Sequence, residues 1–223
     1  MSKVALITGT SKGVGKATAL KFLENGIKVI GLDICGSSIQ HNDYKHYFCD
    51  VSKYEQLPEI NGINYIINNA GITTPKKDTI QVNQMGYINV IKKYAEDTLL
   101  KSIVNIGSTG SDKGYNSIEC CSSQGARNAI TRWAANNYGK DDRHVLVNSL
   151  NIDGVDSDTA IDGALANRLA DLSILKRLTR ASEVAEWIFF LSVINTCATS
   201  QIISIDGEQQ GAYNFIKYPG WEL

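Results

Sequence analysis

The chain has 223 residues, of which 43% are hydrophobic and 20% charged, and a formal net charge of −1; that balance buries a sizeable core and offers no basic field for nucleic acid or an anionic membrane. The length fits a single domain spanning residues 1–223. The five cysteines (Cys35, Cys49, Cys120, Cys121 and Cys197) are odd in number and lack CxxC spacing, which argues against a disulfide framework or a metal site and for a reducing compartment.

The first apolar run, Val4–Ile7, is far too short for a signal peptide. No window approaches the roughly 20 apolar residues that span a bilayer. A soluble, cytoplasmic protein is expected. Val4–Ile7 reads as a strand buried on both faces. Val14, Ala17 and Phe22 then repeat at helical spacing within Gly13–Asn25, and Gly26 is placed to end that helix. Lys28–Leu32 is a second strand closing at Asp33. Cys35–Lys45 is polar and aperiodic, so the second crossover is short and carries no helix. Further strands are expected at Tyr47–Cys49, Tyr65–Ile67, Ser102–Ile106, Val145–Leu150 and Gln201–Ile205. Long helices are expected over 81–100 and 118–138, with another over Glu183–Leu191. Strands alternating with helices predict an α/β fold: a doubly wound Rossmann domain with a parallel sheet of about seven strands covered on both faces. Residues 208–223 form an aromatic tail with Tyr213, Phe215, Tyr218 and Trp221.

Between the first strand and the first helix stands Thr8-Gly9-Thr10-Ser11-Lys12-Gly13-Val14-Gly15. Glycine is needed where backbone takes positive φ or approaches a ligand closely. The helix N-terminus then offers free N–H groups and a positive dipole end to a pyrophosphate. Asp33, at the end of the second strand, can accept from both ribose hydroxyls and would repel a 2′-phosphate, so the expected cofactor is NAD.

The T-G-x-x-x-G-x-G spacing resembles the short-chain dehydrogenase/reductase family, and further landmarks of that family follow in order. The resemblance covers about residues 3 to 207. It implies that Asp50 and Val51 border the adenine and that Asn69, Ala70 and Gly71, within Asn68-Asn69-Ala70-Gly71, contact the adenosine side. Asn83 resembles the family's helix asparagine and Ser108 its catalytic serine. Val155 and Ser157 resemble contacts to the carboxamide end. Arg177, Glu183-Val184-Ala185 and Asp206-Gly207 resemble the closing segments.

The family's Y-x-x-x-K follows the serine by about a dozen residues, and here that stretch, Ser117 to Ala126, lacks the pair. One alignment puts Cys120 at the tyrosine and Gln124 at the lysine; a one-residue shift gives Cys121 and Gly125. Tyr115 cannot begin the motif, because residue 119 is a glutamate. Gln124 can hydrogen-bond a ribose hydroxyl but brings no charge. Cys120 has the chemistry for proton transfer, at a reference pKa of about 8.5, but is shorter than a phenol. Its alternative is a small buried helix residue. Ile152-Asp153 also replaces the usual Pro-Gly beside the nicotinamide. The histidines His41, His46 and His144 are scattered without ligand partners.

Two functions fit these residues. One is an NAD(H)-binding oxidoreductase acting on a carbonyl or alcohol with altered catalysis, with Ser108, Asn83, Cys120 and Gln124 as candidate catalytic groups. The other is an inactive NAD(H) sensor or a non-catalytic subunit. The resemblance further implies a small-molecule substrate and a homodimer or homotetramer. Trp133, on the helix 118–138, faces either the core or a partner.

Overall fold

In the computed structural model, residues 2–72, 77–114, 117–158 and 163–207 are described. In chain order the elements are β1 (Val4–Thr8), α1 (Gly13–Glu24), β2 (Lys28–Asp33), β3 (Tyr44–Phe48), β4 (Tyr65–Asn68), α2 (Gly86–Tyr94) and β5 (Ser102–Ser108). They continue with α3 (Gly110–Lys113), α4 (Ile118–Tyr138), β6 (Leu146–Ile152), β7 (Val155–Asp156), α5 (Gly163–Leu172), β8 (Thr179–Arg180), α6 (Ala181–Phe189) and β9 (Ile202–Ile205).

Seven strands pair in the order β3-β2-β1-β4-β5-β6-β9, and every pairing is parallel. The chain steps outward from β1 to β3, then returns to β4 on the other side of β1. That reversal opens a crevice at the carboxyl ends of β1 and β4, where ligands bind in open α/β sheets.

Successive strand residues point to opposite faces, and β1 shows it. Leu6 joins one buried cluster with Ile66, Ile103, Val90, Tyr94 and Ala134, roofed by α2 and α4. Ala5 and Ile7 join the other with Phe22, Tyr65, Leu150 and Ile188, roofed by α1 and α6. There the Phe22 ring meets Tyr65 and Phe189 edge-on, with centroids 6.0 and 5.3 Å apart. Both faces are covered, as the unbroken apolar runs require.

Four local expectations need correction. The helix expected over 81–100 opens as a π-turn at Gln81–Met85 and α2 ends at Tyr94. Asp97 then turns the chain, its carboxylate accepting from the N–H groups of Gly62, Ile63 and Leu99. The strand expected at Tyr47–Cys49 lies earlier, at Tyr44–Phe48, because pairing with β2 runs from Val29–Tyr44 to Asp33–Phe48. The stretch 154–176, where no strand or helix is predicted, contains β7 and α5, and β7 pairs with β8 in a small separate ribbon. α3 is also additional. Tyr115 and the tail 208–223 lie outside the described residues. Among the described residues no helix is long and apolar enough to cross a membrane, and no group of three His, Cys, Asp or Glu could hold a metal ion.

Candidate functional site

The turn from Thr8 to Gly15 is built by exclusion of side chains. Gly9 and Gly13 have φ of 75° and 60°, in the left-handed region that favours glycine. A Cβ on Gly15 would stand 2.0 Å from the Gly9 carbonyl oxygen. The turn is braced from both neighbouring strands. The Gly9 N–H donates to the Leu32 carbonyl at 2.7 Å. The Asn69 amide donates to the Thr8 and Gly9 carbonyls at 3.0 and 3.2 Å, and the N–H groups of Asn69 and Ala70 both donate to Thr8 Oγ1 at 2.9 Å. Asn69 therefore holds the turn in shape.

Lys12 caps α1 with backbone only, so the first-turn N–H groups face outward. Val14, beside them, packs on the α1/α6 core. One of these N–H groups has a partner from far along the chain. The Gly13 N–H donates to Asp158 Oδ1 at 2.5 Å, and Lys16 Nζ lies 3.7 Å from Asp158 Oδ2. A carboxylate thus occupies the helix N-terminus, where a phosphate charge is also stabilised.

Asp33 faces the same turn. Its Oδ2 accepts from the Ser11 N–H and its Oδ1 from the Cys35 N–H, each at 2.9 Å. Ser11 Oγ donates to the Cys35 carbonyl at 3.2 Å. A further chain links Thr10 Oγ1 to the Tyr44 hydroxyl (2.8 Å), Tyr44 to His46 Nδ1 (3.0 Å) and His46 Nε2 to the Cys35 carbonyl (2.9 Å). Asp50 closes a turn, accepting from the Ser52 N–H and hydroxyl. Val51 is buried against Gly86, whose Cβ would lie 2.8 Å from Val51 Cγ2.

On the other side of the crevice, Asn83 lies in the π-turn with no exposed surface. Its side chain brackets Ile72, accepting from the Ile72 N–H at 2.7 Å and donating to the Ile72 carbonyl at 2.9 Å, and it reaches Ser123 Oγ at 3.3 Å. Ser108 ends β5 opposite Ile152, and its Oγ accepts from the Gly110 N–H at 3.2 Å. Asp153 is fixed by the Thr109 hydroxyl and the Gly154 N–H, at 3.0 Å each. Val155 lies in the β7–β8 ribbon. Cys120 and Gln124 are 4% and 9% exposed on α4.

Arg127 joins these pieces. Its Nε donates to the Asn83 carbonyl at 2.8 Å, and its Nη1 donates to the Ile106 carbonyl and to Gln124 Oε1 at 2.9 Å each. The guanidinium stacks 4.3 Å from the Tyr87 ring centre. Nη2 is buried without a hydrogen-bond partner, close under Gly71. Burial pushes the guanidinium below its ordinary pKa, while Tyr87 and Cys120 act the other way; an arginine remains charged regardless.

The chain as a whole has known counterparts. The family model described as short chain dehydrogenase matches residues 3–167. The chain belongs to the short-chain dehydrogenase family. It is 28% identical over 242 residues to a 3-oxoacyl-acyl-carrier-protein reductase of Thermotoga maritima, covering 92% of this chain and 96% of that protein. Among solved structures, an aldohexose dehydrogenase of Thermoplasma acidophilum superposes with a TM-score of 0.83 at 24% identity, covering 98% and 97% of the two chains. ElxO with NADP bound gives 0.82 at 25% identity, covering 95% and 100%.

Short-chain dehydrogenases are oxidoreductases that bind NAD(P) and act on small molecules, typically as oligomers. Residue-level reading of the sequence missed two groups in this fold, Asp158 and Arg127. Positions 120, 124 and 127 share one helix face by their spacing of four and three, so an arginine beside those two candidate residues was a signal in plain view. The Asp158 contact spans 145 positions and left no local sign.

Proposed function

We propose that this short-chain dehydrogenase is an NAD(H)-dependent oxidoreductase for a small carbonyl or alcohol, working with an altered proton relay. The observation that carries the reading is the pairing of a turn, its backbone bare at Gly9, Gly13 and Gly15, with the Asp33 carboxylate. A Cβ would fill the cradle at Gly15, and the Gly13 N–H already holds an anion, so the residues present fit a pyrophosphate. Gly9, Ser11, Lys12, Gly13, Val14 and Gly15 would hold it, with Asn69 and Ala70 bracing the turn. Asp33 would accept from the adenosine ribose hydroxyls, and its charge disfavours a 2′-phosphate; this supports NAD, although ElxO binds NADP. Asp50, Val51 and Gly71 would border the adenosine half, and Val155 the carboxamide end.

When bound, the dinucleotide supplies or accepts the hydride. The chain's own work is orientation and proton handling. Ser108 Oγ would donate to the substrate oxygen. Asn83 keeps the segment at Ile72 in place and, through its carbonyl, Arg127. Cys120 is the candidate proton donor where the family carries tyrosine. General acid–base help is worth about 100- to 10,000-fold, so turnover below a tyrosine–lysine relative by that order is expected. We further read the protein as a cytoplasmic homodimer or homotetramer, with Trp133, 53% exposed on α4, as a marker of the contact.

The test is a fluorescence titration with NADH and NADPH, followed by hydride transfer over a carbonyl panel. NADH should bind more tightly than NADPH, and turnover should fall with Ser108→Ala. Absence of dinucleotide binding would overturn the reading. Binding without turnover on any carbonyl would reduce it to a sensor.

A further inference from the structure

β3 is an edge strand, and the crossover leading into it carries no helix, so the loop from Ile34 to Asp43 needs other support. Part of it is a run of side chains that crosses two strands. Tyr44 on β3 reaches over β2 to Thr10 in the glycine turn beyond β1, hydroxyl to hydroxyl at 2.8 Å. It passes at Gly31, where a Cβ would lie 2.3 Å from the Tyr44 hydroxyl and 2.4 Å from Thr10 Oγ1. Glycine there leaves the path open. Behind Tyr44, His46 sets Nδ1 against the same hydroxyl at 3.0 Å and Nε2 against the Cys35 carbonyl at 2.9 Å. That carbonyl also accepts from Ser11 Oγ, and the Cys35 N–H donates to Asp33.

The hydrogens follow from the partners. A carbonyl only accepts, so Nε2 carries a hydrogen, and in a neutral imidazole the bare Nδ1 accepts from Tyr44. The Thr10–Tyr44 bond can run in either direction. When His46 is charged, Nδ1 donates to Tyr44, and Tyr44 turns its own hydrogen to Thr10 Oγ1. The charge enters without the loss of a contact.

Histidine is the side chain that changes charge between pH 5 and 8. The groups gathered about His46 are the Tyr44 hydroxyl, held above its ordinary pKa chiefly by burial, Cys35, and the Asp33 carboxylate on the Cys35 N–H. Lys45 lies on the opposite strand face, over the Tyr47 ring at 4.7 Å. Lys28 and Asp43 pair with each other at 3.5 Å where β2 and β3 begin. His41 Nδ1 accepts from the Asp43 N–H, and Lys12 stands two positions beyond Thr10. Carboxylates, thiols, phenols and amines of ordinary pKa keep one predominant charge state between pH 5.5 and 7.5, which leaves the two histidines to be told apart.

We propose that Tyr44 and His46 are positioning residues for the dinucleotide, tying the glycine turn to the Asp33 loop, and that dinucleotide binding takes up a proton at His46. This rests on the dinucleotide reading above. β3 and β1 are two strand spacings apart, about 10 Å. Two phosphate charges at the turn and a cation at that distance amount to about threefold in affinity. The complex then holds more proton than the free protein, so affinity rises as pH falls.

ADP-ribose is the probe, because it carries the adenosine half and its diphosphate has no group that titrates between pH 5.5 and 7.5. Calorimetric titration at both pH values, and at pH 6.5 in two buffers of different ionisation enthalpy, reads affinity and proton uptake together. Wild type should bind about threefold more tightly at pH 5.5 than at 7.5 and take up a fraction of a proton. His46→Gln should keep binding and lose both the pH dependence and the uptake. His46→Lys, charged throughout, should bind at pH 7.5 as wild type does at 5.5. Tyr44→Phe should weaken binding about tenfold at both pH values, the worth of one good hydrogen bond, and His41→Gln should match wild type. Melting temperatures establish that each variant is folded; if His46→Lys is not, His46→Gln decides. Proton uptake that persists in His46→Gln, or a Tyr44→Phe that binds as wild type does, overturns the proposal. A wild type that binds neither ADP-ribose nor NADH overturns the dinucleotide reading and this one with it. A wild type that binds both, with equal affinity at the two pH values and no proton uptake, overturns this one alone.

Discussion

Asp158 Oδ1 accepts a hydrogen bond from the Gly13 N–H at 2.5 Å, tying the segment after β7 to the first turn of α1. A pyrophosphate bound at the same N–H must displace that carboxylate, so the two compete for one donor. The Asp158 side chain is about half exposed (51%), and solvent screening keeps such contacts near 1 kcal/mol or below. Asp158→Ala is therefore expected to tighten NADH by about three- to fivefold. Fluorescence titration checks it; weaker binding in the variant would show that Asp158 assists the ligand instead.

Asp33 sets both the shape and the charge of the loop beside the glycine turn. Asp33→Asn keeps one acceptor oxygen, so either the Ser11 or the Cys35 N–H loses its partner. A loss of about 1–2 kcal/mol of stability is expected. The ratio of NADH to NADPH affinity should drop by about tenfold or more once the repulsion of a 2′-phosphate is gone. Parallel titrations with the two dinucleotides measure that ratio, and an unchanged ratio would remove Asp33 from cofactor choice.

Gly15 tests whether the turn is a cradle or a plain connection. Its Cβ would meet the Gly9 carbonyl at 2.0 Å and Asn69 Nδ2 at 2.5 Å, and both are held by hydrogen bonds that resist movement. Gly15→Ala should cost about 1–3 kcal/mol, a fall in melting temperature of about 2–12 °C for a chain of this size. NADH binding should be lost in the folded variant. Thermal denaturation and titration at 15 °C separate the two effects.

The sequence made legible whatever depends on local chemistry. Glycines at positive φ, the carboxylate closing β2 and apolar strands buried on both faces could be read from neighbours in the chain, and the sheet follows from their alternation. Helix ends were less legible. Nothing between Tyr94 and Leu100 breaks a helix by propensity; Asp97 does so by capturing the N–H groups of Gly62 and Ile63. The β5 side of the crevice was least legible, because the place of Arg127 is set by carbonyls from Asn83 and Ile106 that only the fold brings near.

The start of α6 should confer an acid-sensitive component of stability. Arg177 grips Glu183 with both Nη atoms at 2.7 Å, and Glu183 Oε2 also accepts from the Arg180 N–H. The arginine holds the Glu183 carboxyl at about 2, well below its ordinary 4.5. Because the folded value is the lower one, the contribution is present above about pH 4.5 and is lost as pH falls toward 2. Both side chains are about two-fifths exposed, so its size is modest. Glu183→Gln should lower the melting temperature at pH 7 and make progressively less difference below pH 4.5. A constant difference between pH 7 and pH 3 would sink this account.

Two exposed thiols report where the dinucleotide lies. Cys35 and Cys197 are exposed, whereas Cys49 and Cys120 are buried, and burial beside Asp50 pushes the Cys49 thiol up to about 11. The thiolate is the reactive form, so at pH 7.5 N-ethylmaleimide should modify Cys35 and Cys197 first and Cys49 last. Cys35 stands where its N–H meets Asp33 and its carbonyl meets Ser11, against the proposed adenosine ribose. Cys197 lies in the connection between α6 and β9, and its N–H is held by Asn195. Saturating NADH should slow labelling of Cys35 several-fold and leave Cys197 unchanged, with ADP protecting as well as NADH because only the adenosine half is near. Peptide mass spectrometry over a time course reads both sites in one sample. Equal protection of the two cysteines would indicate a global tightening, and protection of neither would place the dinucleotide elsewhere.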